Sequence, residues 1–373
     1  MPPRHKRSAT SSKSTKKQSR NKNLKLKKVA FNKRLFSKHG KAALSKFVAL
    51  FSVLVISLGF LGIYSFFNYL NQQKIFAVDE SDSSLYSDLI PNLLYVVVDD
   101  LNSQSPKIEK INFVIFNKYS RKSILYNVPP ALVVDLPGKY GDEEVGKSSV
   151  FGGIVNENDS YVAGLKILNG SIFKIFGLKP TNYLVTQAKG NSQFDNFVQS
   201  GNIFELLSKE NLSNLQDNTQ TNMTLRDFYG YHQFLSSVPE DRNFVKTLDQ
   251  SYLDNPNLID QELLDISIES PLNTEKLSIA ILNGTNIPGT ATLGSRTIKN
   301  LGGRVVAVSN TEDTREESII VTDMQDSAST ALIKEVFGIS KVVSKDEFTL
   351  LNQEELDRSD IVVIIGFDIA REM

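Results

Sequence analysis

Hydrophobic positions fall along this chain in three textures. From Phe47 to Gln73 they form one unbroken run, FVALFSVLVISLGFLGIYSFFNYLNQQ, without a single Asp, Glu, Lys or Arg. A helix crossing ~30 Å of hydrocarbon at 1.5 Å per residue needs about 20 such residues, so the run predicts one membrane-spanning helix with some tilt. A core helix of that length carries a polar stripe, and a cleavable signal has a shorter apolar core ending in a small-x-small site. Neither fits here, where the exit reads Lys74-Ile75-Phe76-Ala77-Val78. Ser52 and Ser57 are tolerable because each can bond a carbonyl one turn back.

The second texture is a series of short apolar runs bounded by turn residues. Asn92–Val98 reads as a buried strand ending in Asp99-Asp100, followed by strands at 111–116 and 123–128, the last stopped by Pro129-Pro130. Residues 161–177 carry apolar positions at helical spacing and end on Gly177; a strand follows at 182–186. Helices are expected at 224–237 and 243–252. The stretch 253–276 is acidic and rich in Pro and Asn, and reads as a linker between domains.

The third texture begins at Leu277. Strands at 277–282, 304–309, 318–322, 341–343 and 360–366 alternate with helices at 289–301 and 327–337, the latter with Asp326 as expected N-cap. Such alternation predicts a small α/β module. The resulting plan is a basic tail (1–46), a transmembrane helix (47–73), a linker (74–91), a mixed-sheet α/β domain (92–255), a second linker (256–274) and a C-terminal α/β domain (275–373).

Charge orients this plan. Residues 1–46 hold 16 Lys and Arg, and the first acidic residue is Asp79; the remaining 26 basic residues face all 42 acidic ones. Basic residues flanking a membrane segment stay cytoplasmic, which places the amino terminus inside and 79–373 outside a plasma membrane crossed once. Residues 1–23 lack the apolar content for a core and read as disordered. For 24–46 three readings stand: contact with anionic headgroups, phosphate neutralisation on nucleic acid, or topology alone. We expect the bilayer, and no nucleic acid, as the partner of this end.

Little conventional chemistry is visible. There is no Cys, and His5, His39 and His232 are too scattered for a metal site. Gly141–Ser148 matches the spacing G-x-x-x-x-G-K-[ST]. That motif needs a buried strand before it and a helix at its Lys, whereas here Pro137 and Lys139 precede it, Phe151-Gly152-Gly153 is expected to break any helix at once, and Asp142, Glu143 and Glu144 would repel a triphosphate. Asn283-Gly284-Thr285, with Gly289 beyond it, admits two readings: plain turn chemistry, or a ligand loop at the end of a parallel strand. Asp99, at the end of the first strand, is the candidate metal ligand.

The C-terminal module resembles the C-terminal domain of LytR-CpsA-Psr family proteins over about 275–369. The residues carrying the resemblance are Ile281-Leu282-Asn283-Gly284-Thr285, Ile287-Pro288-Gly289, Leu301-Gly302-Gly303, Val305–Asn310, and Ile361–Gly366 followed by Asp368. The order of elements in 92–255 looks like a divergent form of the family's catalytic domain. The resemblance implies a bacterial cell-envelope protein outside the membrane. The family's enzymes move a glycopolymer phosphate from a polyprenyl pyrophosphate carrier to peptidoglycan, holding the pyrophosphate with Arg and magnesium with Asp. Where the family's arginines are expected, this chain reads Lys107-Ile108-Glu109-Lys110-Ile111-Asn112 and Pro129-Pro130-Ala131. A bidentate Arg is not replaced by Pro or Ala.

The expectation is therefore a non-catalytic, membrane-anchored envelope protein, without a cofactor, that binds peptidoglycan, another wall glycopolymer or an envelope partner. One alternative is a glycopolymer phosphotransferase using Mg2+ and cations from Arg121, Lys139, Lys147 or Arg242. Another is a scaffold or regulator acting through the basic tail.

Overall fold

The computed structural model describes residues 50–62, 64–65, 92–103, 105–118, 120–138, 140–155, 160–188, 191–200, 218–348, 353–371 and 373. The chain divides into two compact units, 1–64 and 65–373. In the first, residues 50–62 and 64 are helical, their apolar side chains largely exposed. Ser57 donates its hydroxyl to the Val53 carbonyl one turn back, as expected. No helix among the described residues is long and apolar enough to cross a membrane, and the remainder of 47–73, with the basic tail and the 74–91 linker, lies outside them.

The second unit opens with β1 (Asn92–Val98), β2 (Ile108–Asn117) and β3 (Lys122–Val128), then a small hairpin of β4 (Val133–Leu136) and β5 (Gly141–Glu144). Helices α1 (Ser148–Val155) and α2 (Ser160–Phe176), β6 (Asn182–Gln187), α3 (Asn191–Ser200), β7 (Thr219–Thr221), α4 (Leu225–Ser237) and β8 (Asn243–Thr247) complete the first half. The main sheet runs β7-β6-β1-β2-β3-β8. β1 pairs parallel with β6 and antiparallel with β2, and β3 pairs parallel with β8.

All seven residues of β1 are buried because helices cover both faces of the sheet. Leu93, Tyr95 and Val97 join Phe197, Phe228 and Tyr231 of α3 and α4, while Leu94, Val96 and Val98 face α2. Phe176, near the end of α2, lies 4.8 Å from Phe113 and 4.9 Å from Tyr126, ring centre to ring centre.

Two expectations are corrected here. Residues 243–252 are not one helix: Asn243–Thr247 is an edge strand, held by the β3 ladder and a 2.7 Å bond from Ser123 Oγ to Asn243 Oδ1, and only α5 (Gln250–Asp254) is helical. Nor is 256–274 a linker. It forms α6 (Asn257–Ile266) and α7 (Pro271–Glu275). Ile259, Leu263 and Ile266 sit at helical spacing on one buried face, which the surrounding acids hide in the sequence. The carbonyl of Ile266 that ends α6 accepts bonds from Asn117 Nδ2 (2.6 Å) and Ser120 Oγ (3.3 Å), so the helix is tied to the β2–β3 turn.

The C-terminal half contains β9 (Ser278–Asn283), α8 (Thr290–Asn300), β10 (Arg304–Asn310), β11 (Ile319–Thr322), α9 (Ala328–Phe337), β12 (Val342–Val343), α10 (Gln353–Arg358), β13 (Ile361–Ile365) and α11 (Phe367–Ala370). The N-cap of α9 is Ser327 rather than Asp326; its hydroxyl accepts from the Thr330 N–H. The sheet runs β10-β9-β13-β11-β12, parallel throughout except for the β11–β13 pair. One buried cluster passes without a break from Leu94 and Phe113 through α2, α6 and α8 to Ile279, Ile281 and Val363. The two sheets thus share a core.

Candidate functional site

The turn after β9 is closed on itself. Asn283 Oδ1 accepts from the N–H (3.0 Å) and hydroxyl (2.7 Å) of Thr285, and Asn283 Nδ2 donates to the Ile287 carbonyl at 3.0 Å. Gly284 donates to the Ile365 carbonyl at 2.8 Å, and a Cβ there would stand 2.9 Å from that same oxygen. Gly289, at φ +85°, turns the chain into α8. The amide of Arg315 donates to Gly284 (2.7 Å), and its guanidinium lies 5.3 Å over the Phe348 ring. The cavity beside them is about 10 Å3, room for about one water. The side chains of Asn283 and Thr285 are therefore engaged in holding the turn.

Asp99 is likewise occupied. Its Oδ1 accepts from the N–H groups of Asp100 and Lys107, both at 2.8 Å, closing the loop between β1 and β2. Asp100 Oδ1 accepts from the N–H of Asn102 (2.9 Å) and from Gln187 Nε2 (3.2 Å). Among the described residues no three His, Asp or Glu converge as metal ligands.

Of the cations named for the phosphotransferase alternative, Arg121 and Arg242 lie near one another and Lys147 lies apart. Arg242 donates to the Ser120 carbonyl at 2.9 Å, beside Arg121 at the start of β3. Lys147 lies beyond the other end of that strand, roughly 20 Å away for seven residues at ~3.3 Å each. It is paired with Glu143 at 2.9 Å, which raises its pKa through that hydrogen bond and charge. The P-loop-like stretch is an exposed strand and one tight turn that runs directly into α1, so a helix does start at Ser148 and continues through Phe151-Gly152-Gly153, against expectation; the strand before it is not the buried one the motif needs, and Gly146 packs on Pro130, whose carbonyl accepts its N–H at 2.8 Å. Lys139 lies outside the described residues. Lys110, in the segment set against a family arginine, pairs with Asp195 at 2.6 Å.

The densest polar constellation is at the seam between the two sheets. Asp260 of α6 receives Arg296 Nε and Nη2 of α8, each at 2.8 Å, and Asn300 Nδ2 at 3.0 Å. Arg296 also donates to the carbonyls of Lys174 (2.6 Å) and Ile175 (2.8 Å), and Asn300 to that of Phe176 (2.9 Å). Two side chains of α8 thereby satisfy the carbonyls that α2 leaves unpaired at its C-terminus. Glu262 anchors the same helix on the first sheet, accepting from Tyr126 Oη at 2.8 Å and pairing with Lys246. Burial first, and then Glu262, hold the Tyr126 hydroxyl protonated far above its usual range.

Above this clamp lies an open cleft of about 650 Å3, its walls formed by α6, α8 and β10. Asn257, Gln261, Thr292, Ser295 and Lys299 present polar groups to it, and Leu264 and Val308 present aliphatic surface. Since Arg296 is neutralised by Asp260, Lys299 leaves the cleft with one net positive charge.

Comparison with known proteins bears on this half of the chain. Residues 276–368 match the family described as LytR cell envelope-related transcriptional attenuator. Over those residues the C-terminal module is similar to a LytR-type domain. Solved structures of similar arrangement include TagT bound to LIIa-WTA, with 11% identity over 49% of this chain and 94% of that one and a TM-score of 0.34. The Lin1025 protein from Listeria innocua has 13% identity over 48% and 100%, with a TM-score of 0.32. The LytR-CPS2A-psr family protein YwtF (TagT) with bound octaprenyl pyrophosphate lipid has 12% identity over 52% and 97%, with a TM-score of 0.33. No curated protein matches the sequence. The C-terminal module supplies Arg296 and Asn300 to the clamp and Lys299 to the cleft. Sequence reasoning missed this site because the cleft's other wall, α6, falls in the stretch read as a linker. The recoverable signal was the spacing of Ile259, Leu263 and Ile266.

Proposed function

We propose that this chain is a single-pass, membrane-anchored, extracytoplasmic envelope protein that binds a wall glycopolymer without transferring it. The observation that carries the reading is the cleft between α6 and α8. Amide and hydroxyl side chains beside aliphatic surface suit a polyhydroxylated ligand, whose hydroxyls bond while its C–H faces cover Leu264 and Val308. Lys299 supplies a compact ammonium for a phosphate in such a polymer. The uninterrupted apolar run at 47–73 and the basic residues before it support the anchoring and its direction. Two structures of similar arrangement carry a lipid-linked polymer or a polyprenyl pyrophosphate, which agrees with an envelope glycopolymer as the ligand class.

Transfer is disfavoured by the separation of Lys147 from Arg121 and Arg242 and by the bonds that Asp99 Oδ1 already accepts. Phosphoryl transfer needs cations gathered around the transferring oxygens. The test is co-sedimentation of the detergent-solubilised full chain with wall sacculi carrying their phosphate-bearing polymer. The wild-type chain should sediment, and Lys299→Ala combined with Gln261→Ala should weaken binding about tenfold at 0.1 M salt. Equal binding by the double variant overturns the assignment of the cleft.

A further inference from the structure

Among the described residues each of the two larger sheets ends in two edge strands, and edge strands carry unpaired backbone groups that recruit other strands unless they are blunted. Three of the four edges are blunted. β7 has three residues and β12 has two. β10 has seven, but its register shifts between Val305 and Ala307, leaving Val306 as a bulge. β8 is different. Its five residues pair with β3 in unbroken register, without Pro or bulge, and its one charged side chain, Lys246, is turned to Glu262. Phe244 is 41% exposed and Val245 63%.

The direction of its backbone groups follows from one bond. Leu248 N–H donates to the Asn127 carbonyl of β3 at 2.9 Å. Backbone groups alternate sides along a strand, so those of Asn243, Val245 and Thr247 point away from the sheet. The Asn243 N–H is taken by the Glu240 carbonyl. The N–H groups of Val245 and Thr247, and the carbonyls of Asn243, Val245 and Thr247, face outward.

We infer that β8 is a homodimer edge, at which a second copy of this chain adds its own β8 antiparallel about a twofold axis at Val245, making one twelve-stranded sheet. The strand is complementary to itself in that orientation. Val245 faces Val245, Phe244 faces the stem and ammonium of Lys246, Asn243 faces Thr247, and no like charges oppose one another within the strand. Four backbone bonds form: Val245 N–H to the Val245 carbonyl and Thr247 N–H to the Asn243 carbonyl, each twice. Leu125, the partner of Val245 on β3, belongs to the buried cluster under α3 and α4, so the paired valines extend a core that otherwise stops at the edge.

The chain has no Cys, which makes a crosslinking test clean. Residues exchanging both bonds across an antiparallel pair have Cα atoms about 5.5 Å apart, within disulfide range. In the full chain in detergent, Val245→Cys should form a covalent dimer under mild oxidation. Met324→Cys, at a comparably exposed site, should not. Val245→Pro removes only an outward N–H, so it should keep the melting temperature while raising the dimer dissociation constant tenfold or more. Wild-type chain sedimenting as a monomer at tens of micromolar, or Val245→Cys crosslinking no faster than Met324→Cys, overturns the inference. A strand from a different protein at this edge would give that monomeric result.

Discussion

Arg296 and Asp260 meet at 2.8 Å across the seam between the two sheets, and the same guanidinium donates to the carbonyls of Lys174 and Ile175. One side chain therefore joins three helices drawn from both halves of the unit. Removing it leaves two helix-end carbonyls without that donor and the Asp260 carboxylate with Asn300 as its remaining partner at the clamp, in a half-buried place. Arg296→Ala should cost about 2–3 kcal/mol, read from urea denaturation. Arg296→Lys should recover only part of that, because an ammonium cannot span the carboxylate and both carbonyls at once. Since one apolar cluster runs through the seam, both sheets should unfold in a single transition in the wild type.

Gly177 closes α2 directly beneath this clamp. Its φ is +63°, and a Cβ would stand 2.9 Å from Asn300 Nδ2 and 3.2 Å from Arg296 Cγ. Gly177→Ala combines left-handed backbone strain of about 1–2 kcal/mol with displacement of two clamp residues. It should destabilise the chain more than Gly338→Ala, where φ is +69° but nothing lies near the added carbon. Comparing the two variants by thermal melting separates the steric effect from the backbone effect.

Asp360 predicts a pH dependence. Bonds from the Ser278 hydroxyl (2.6 Å) and N–H (2.8 Å) hold its carboxyl below the usual range, and the charges of Lys345 and Arg304 add to the effect. A carboxylate whose folded pKa is lowered contributes stability that is fully present above its unfolded value. That contribution fades as pH falls through the ordinary carboxylate range toward the folded value. Glu275 acts in the same sense: burial pushes it up, and the N–H groups of Ala328 (3.1 Å) and Ser329 (2.9 Å) that donate to it help to outweigh this. Asp360→Asn should make the fall in melting temperature below pH 5 shallower without abolishing it.

The parts legible in the sequence were those whose signal is local. β1 and β9 announce themselves because burial on both faces demands unbroken apolar runs. α2 shows helical spacing ended by Gly177. The fold class, mixed-sheet α/β with a small α/β domain after it, follows from such segments. α6 was hidden because its three buried positions are interleaved with acids that serve the seam and the first sheet, Asp260 and Glu262. β8 was misread because Phe244 and Val245 are apolar yet exposed, so they carry no periodicity of a buried face. The cleft was not legible at all: its clamp joins residues 40 positions apart, Asp260 and Asn300, through a contact no spacing encodes.

Binding without transfer can be measured directly. The direct measurement supplies the detergent-solubilised full chain with a radiolabelled phosphate-bearing glycopolymer on a polyprenyl pyrophosphate, acceptor peptidoglycan and Mg2+. The account predicts that the label stays on the lipid carrier while the polymer is retained by the wild-type chain and released from the Lys299→Ala, Gln261→Ala variant. Label appearing covalently on peptidoglycan, at a rate above that of a protein-free control, would contradict it.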